Sequence, residues 1–145
     1  MRPGGMDMNE QANTALIQKL YTAFSTGDIQ TILDNVNSNA EWINYGPETI
    51  PYAGNFNGRI AQFFQAIADS TTSGKVVAER LIAQDDTVVS LGRYTATVRS
   101  TGSRIDTPIA HLFRVQDGKV TSWIGFSDTA ALAAAHGGAA RSTGS

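Results

Sequence analysis

The sequence contains no cysteine, only two histidines and only four prolines, and its formal net charge is no more than -2. Each scarcity excludes something. Without cysteine there are no disulfides, no thiolate nucleophile and no thiolate-ligated metal. Two histidines, His111 and His136, are too few for a histidine-rich zinc site, and no spacing brings carboxylates to join them. No apolar run approaches the roughly 20 residues a membrane-spanning helix needs, and the polar N-terminus has no signal-peptide core. A nearly balanced charge gives no bulk attraction to nucleic acid or to an anionic membrane, and no stripe of Arg and Lys marks such a surface. Gly54–Arg59 lacks the Gly-Lys-Ser/Thr element of a phosphate loop. No cofactor and no metal is expected. These absences fit a reducing cytoplasm.

What is present is enough for one domain. The 145 residues are 41% hydrophobic and 17% charged, as in an ordinary folded globule. The best-specified stretch runs from Arg104 to Phe126. Ile105, Thr107, Ile109, His111, Phe113 and Val115 alternate with Asp106, Pro108, Ala110, Leu112, Arg114 and Gln116, the period of a strand. Asp117-Gly118 then predicts a tight reversal into a second strand. Pro108 suggests a strand edge or a bulge. His111 lies on the more apolar face.

Upstream the period is helical. Residues 1–11 read as a flexible lead-in, and residues 12–136 as the domain. Leu16, Ile17, Leu20, Tyr21 and Phe24 recur at three and four, with Asn13 or Thr14 as a cap. Gly27-Asp28 ends this helix and opens a second through Ile29, Ile32, Leu33 and Val36. Ala40 to Tyr45 reads as a short strand with Trp42 and Asn44 on one side. A loop with Pro51, Tyr52 and Phe56 follows, then a third helix from Arg59 to Asp69, begun by Asn57 or Gly58. After a polar break at Thr71–Gly74 the period becomes two, giving a meander of about four antiparallel strands. Ser127 or Asp128 caps a last short helix. Residues 137–145 read as a disordered tail.

This order predicts an α+β fold in which a curved antiparallel sheet packs on three N-terminal helices as an open cone. The helices cover one sheet face. The other, with Val88, Val98 and Leu112 expected on it, would leave apolar area for a homodimer.

Three segments carry a resemblance. They are Leu20-Tyr21-X-Ala-Phe-X-X-Gly-Asp28, the run Gly54 to Phe64, and Phe113 to Trp123 with Asp128 beyond. Together they resemble the NTF2-like superfamily, in its SnoaL-like and ketosteroid-isomerase-like branch, over roughly Asn13 to Ala135. That resemblance implies the cone and a pocket inside it. The superfamily's functions range over isomerases, cyclases, hydrolases, dehydratases and plain binding proteins.

Its catalytic patterns match only in pieces. Asn44 stands where ketosteroid isomerases carry a general-base aspartate, and an amide cannot abstract a proton at neutral pH. His111 stands where their second aspartate donates to the enolate oxygen, a role open to imidazole. Polyketide-cyclase relatives pair a histidine like His111 with an aspartate on the next strand, where this chain has Gly125. The Arg and Asp of limonene-epoxide-hydrolase relatives fall on Gly92 and Tyr94, and their Tyr and Asn on Trp42 and Asn44.

The candidate catalytic residues are therefore His111 and Asn44, and the candidate ligand-binding residues are Trp42, Tyr52, Tyr94, Trp123, Phe63 and Tyr21. Each has a structural alternative. His111 is either a pocket donor or base, or a core or interface histidine satisfied by its surroundings. Asn44 either orients a water or ligand carbonyl or bonds its own turn. The aromatics either wall the pocket or pack the core, and Asp128 reads as a helix cap. Arg93 either pairs with an acid inside the cone or projects to solvent. The first functional expectation is acid–base chemistry on a small hydrophobic substrate. A non-catalytic protein binding a small apolar ligand comes second, and an assembly protein using the open sheet face third.

Overall fold

A computed structural model describes residues 7–137. They run α1 (Met8–Ser25), α2 (Ile29–Asp34), β1 (Val36–Asn44), β2 (Gly54–Asn55), α3 (Ile60–Ser70), β3 (Thr71–Gln84), β4 (Thr87–Val98), β5 (Arg104–Gln116), β6 (Lys119–Ser127) and α4 (Thr129–Ala135). The six strands form one sheet in the order β2-β1-β6-β5-β4-β3. Neighbours are antiparallel except β1 and β6, which pair in parallel. The open α+β cone is thus present, with a mixed sheet where an antiparallel one is expected. The parallel pair arises because β1 enters from the helical half and lies beside the last strand of the meander.

Period two does most of the work in the meander. Along β5 burial alternates without exception, with Ile105, Thr107, Ile109, His111, Phe113 and Val115 inward. The β4–β5 register is unbroken from Thr87↔Arg114 to Thr97↔Arg104. Pro108 makes no bulge. The β5–β6 ladder ends one residue away, at Ile109↔Ser127, so β5 is locally an edge there, and a missing N–H is tolerated. Asp117 (φ 53°) and Gly118 (φ 76°) make the predicted reversal with both residues left-handed.

The helices lie on the inward face. Ile17, Leu20 and Tyr21 of α1 and Ile60, Phe63, Phe64 and Ile67 of α3 join the inward strand residues in one core. The lead-in is shorter than expected: residues 8–11 belong to α1. Asp7, not Asn13 or Thr14, caps the helix in a reciprocal box, accepting from Glu10 N (2.8 Å) while Glu10 accepts from Asp7 N (3.1 Å). The buried Glu10 also accepts from Asp85 N (2.8 Å), tying the helix start to the β3–β4 turn. Residues 1–6 of the lead-in, and all of the expected tail but Gly137, lie outside the described residues.

Other boundaries shift for local reasons. Val36 begins β1 and is not part of α2. The polar stretch at Thr71–Gly74 is not a loop: α3 runs straight into β3, and the stretch becomes a bulge with Ser73 at φ 59°. Asn57 does not cap α3; its side chain accepts from Trp42 N (2.8 Å), and Arg59 takes the cap position without a side-chain bond. Val88 and Val98 do not lie on the open face. Both are buried inward, in register with Ser90, Tyr94 and Ala96. The open face carries Val77, Ile82, Leu91, Leu112 and Phe126 instead. Arg93 is also outward, paired with Asp106 (2.8 Å) on the exposed surface.

Gly92 is required by this packing. A Cβ there would meet the Val77 carbonyl oxygen at 1.9 Å, beside the β3–β4 bulge. Gly92→Ala is expected to cost about 1–3 kcal/mol of folding free energy, as overpacking does. Urea unfolding of the variant against wild type measures it.

Candidate active site

One row of inward positions crosses four strands: Ser90 on β4, His111 on β5, Gly125 on β6 and Asn44 on β1. Gly125 has no side chain to fill the middle of the row. A Cβ there would fall 2.5 Å from the Trp123 ring and 2.7 Å from Asn44 Oδ1. The Trp123 indole, two residues earlier on the same face, leans over the gap. The position therefore has no room for a side chain while Trp123 and Asn44 keep their places. His111 and Asn44 stand two strand spacings apart, about 10 Å between Cα atoms.

Above this row the sheet and helices enclose a cavity. Its volume, measured by where the centre of a water can sit, is ≈ 90 Å³. A water needs about 10–15 Å³ by that measure, so the hollow suits a few waters or one narrow, flat molecule. The structure brings all eight candidate residues to its wall: Tyr21, Trp42, Asn44, Tyr52, Phe63, Tyr94, His111 and Trp123. Trp42 stacks on Trp123 with centroids 4.9 Å apart, and Phe63 packs against both indoles. Among the described residues no Asp, Glu, Lys or Arg lines it.

His111 is held by one partner. The Tyr21 hydroxyl lies 2.7 Å from its Nδ1, joining α1 to β5. Burial pulls the His111 pKa down to about 3, so the ring is neutral at pH 7. Burial also pushes the Tyr21 phenol well above its ordinary value. Ser90 Oγ opposes that rise but completes no hydrogen bond. With the phenol donating to Nδ1, the ring proton lies on Nε2, which makes no hydrogen bond among the described residues. His111 thus offers a neutral N–H donor on the cavity wall.

The opposite end is an acceptor. Asn44 Nδ2 donates to the Tyr52 carbonyl (3.0 Å), which fixes the amide and leaves Oδ1 on the wall. Trp42 Nε1 is buried without a partner. Tyr52 lies at the centre of a second polar chain: the Tyr94 hydroxyl donates to the Tyr52 hydroxyl (3.4 Å), which lies 3.0 Å from His136 Nε2. Burial pushes both phenols up and His136 down. His136 is the C-cap of α4, and no local pattern in the sequence announces its contact 84 residues away. Asp128 caps α4, accepting from Ala131 N (3.1 Å).

This arrangement and the chain's relatives agree on family. The model of the SnoaL-like domain matches residues 17–123. The chain belongs to the SnoaL-like domain family. Solved structures show the same fold. An NTF2-like protein from Burkholderia xenovorans LB400 is 27% identical over 91% of this chain and 99% of its own, with a TM-score of 0.75. A putative SnoaL-like polyketide cyclase from Jannaschia sp. CCS1 is 20% identical over 90% and 95%, with a TM-score of 0.76. TerC, co-crystallised with polyporic acid, is 22% identical over 87% and 98%, with a TM-score of 0.78. No curated protein sequence matches the chain. Among the described residues of this SnoaL-like chain no cluster of three or more His, Cys, Asp or Glu is arranged to hold a metal ion, and no helix is long and apolar enough to cross a membrane.

The buried imidazole has a consequence for stability. A histidine whose folded pKa lies near 3 and whose unfolded pKa lies near 6.5 contributes stability that is complete above pH 6.5. That stability is lost as pH falls toward 3, because the unfolded chain takes up the proton first. Stability should fall through this window with a His111 contribution of about 1.4 kcal/mol per pH unit at most. Chemical denaturation across pH should show a shallower acid slope in His111→Gln, and NMR should find His111 neutral at pH 5 in the folded protein.

Proposed function

We propose that the cavity binds a small, uncharged, hydrophobic molecule bearing an acceptor oxygen, and that the chain catalyses an isomerase-, cyclase- or dehydratase-type reaction on it. The observation that carries this reading is the Tyr21–His111 pair, whose hydrogen bond at Nδ1 leaves Nε2–H for a ligand. A neutral imidazole donor in a dry, apolar site polarises a carbonyl and stabilises the oxyanion or enolate that develops from it. With a pKa near 3, His111 serves as that donor and is a weak base. Asn44 Oδ1 orients a hydroxyl or water at the other end. The aromatic walls of Trp42, Phe63 and Trp123 suit a flat ring system. The relative co-crystallised with polyporic acid supports a small-molecule site in this fold.

A second reading, a non-catalytic protein binding a small apolar ligand, draws on the absence of a lining carboxylate among the described residues. Such a site needs shape and a few oriented polar groups, without a tuned base. Ligand-induced melting shifts identify ligands, and turnover assays on the hits separate the readings. Conversion by the purified protein, reduced more than tenfold in His111→Ala, is expected. Tight binding with no conversion would establish the second reading.

The open sheet face supports a second copy of this chain as partner. Leu91, Ala110 and Phe126 form one cross-strand row, and Val89, Leu112 and Ile124 the next. Leu91, Leu112 and Phe126 are each more than a third exposed, so the rows make a continuous apolar strip. Sedimentation should give a dimer at micromolar concentration and a monomer for Leu112→Glu; a wild-type monomer refutes the interface. The cytoplasm is the proposed compartment, since nothing in a cysteine-free chain calls for an oxidising one.

A further inference from the structure

We propose that His136 is a positioning residue for the cavity: its Nε2 holds the Tyr52 phenol, and the Tyr52 backbone in turn fixes the Asn44 amide. Residue 136 lies beyond the part of the chain that matches the SnoaL-like model, which ends at 123. Its connection to the site is geometric. Tyr52 is buried, and its hydroxyl sits 3.0 Å from His136 Nε2, with the two rings edge to face at 5.4 Å. The Tyr52 carbonyl accepts from Asn44 Nδ2 at 3.0 Å. Tyr52 therefore grips α4 with its side chain and Asn44 with its main chain.

The helix that carries His136 is itself anchored. Leu132 is buried and reaches the cavity wall, Ala133 is buried beside it, and Thr101 Oγ1 donates to the Ala135 carbonyl (2.7 Å). These contacts hold the imidazole at a fixed height over the loop between β1 and β2. That loop has no other side-chain hydrogen bond from Tyr52 except the one it receives from Tyr94.

The Tyr52 hydroxyl lies between the Tyr94 hydroxyl (3.4 Å) and His136 Nε2 (3.0 Å); with Tyr52 donating to Nε2, the His136 ring carries its own proton on Nδ1. All three groups are uncharged near neutral pH, since burial raises both phenols and lowers His136. A phenol bonded at both sides cannot turn its proton into the cavity. Asn44 Oδ1 is thereby kept on the wall as an acceptor. His136 so contributes to the polarity of a site that it does not line.

The test uses the full-length protein without ligand. Hydrogen exchange of the Asn44 side-chain amide, followed by ¹⁵N NMR, reads the Asn44–Tyr52 bond directly. His136→Phe keeps the ring and removes the acceptor; exchange should speed up tenfold or more. His136→Gln restores an acceptor and should return exchange to within twofold of wild type. Should His136→Phe not fold, Tyr52→Phe deletes the same bond, leaves the Tyr52 carbonyl, and must give the same acceleration. Exchange unchanged in the Phe variant, or not restored by Gln, overturns the proposal. The affinity readout rests on the ligand reading above. Titration with 1-indanone, followed by the fluorescence of Trp42 and Trp123, should weaken at least fivefold in His136→Phe and within twofold in His136→Gln. Failure of indanone to bind wild type counts against the proposed function, whereas the amide exchange alone decides the role of His136.

Discussion

The hydrogen bond between Tyr21 and His111 is the point at which the helical layer and the sheet of this chain hold one another inside a cavity. Everything chemical about the site depends on it. With the phenol as donor, it sets the tautomer and leaves Nε2–H free to donate. Burial keeps the ring neutral. The same bond fixes the height of α1 over β5, so the width of the hollow and the chemistry at its wall have a common cause.

Gly125 provides the complementary constraint. A side chain in the middle of the Ser90–His111–Gly125–Asn44 row would collide with Trp123 and Asn44. The space is given to an indole that walls the cavity. The chain thereby places an imidazole on the cavity wall and no carboxylate among the described residues that line it. The result is a hollow with a few neutral polar groups, and no charged side chain among the described residues that wall it. Such a site favours uncharged ligands, because nothing within it compensates a charge removed from water.

Much of this was legible in the residues. The alternation from Ile105 to Val115 put His111 on the inward face, and Asp117-Gly118 closed the hairpin. The polar Asp7-X-X-Glu10 box also stands in the sequence, but the apolar period that marks the helix begins only at Leu16, well inside α1. Val88 shows the opposite limit. It sits beside Val89, and with aliphatics on both faces the composition could not say which faces the core. Pairing with β5 decided it.

The sequence by itself determined the periods, the turns and which residue types could carry chemistry, because these follow from local backbone sterics and from side-chain identity. Only the tertiary structure decided which of those side chains meet. The 2.7 Å contact of Tyr21 with His111 spans 90 residues, and that of Tyr52 with His136 spans 84. Contacts so distant in sequence are set by strand order, by bulges and by the shape of the whole core. No local pattern encodes these, and only the fold brings His136 to Tyr52.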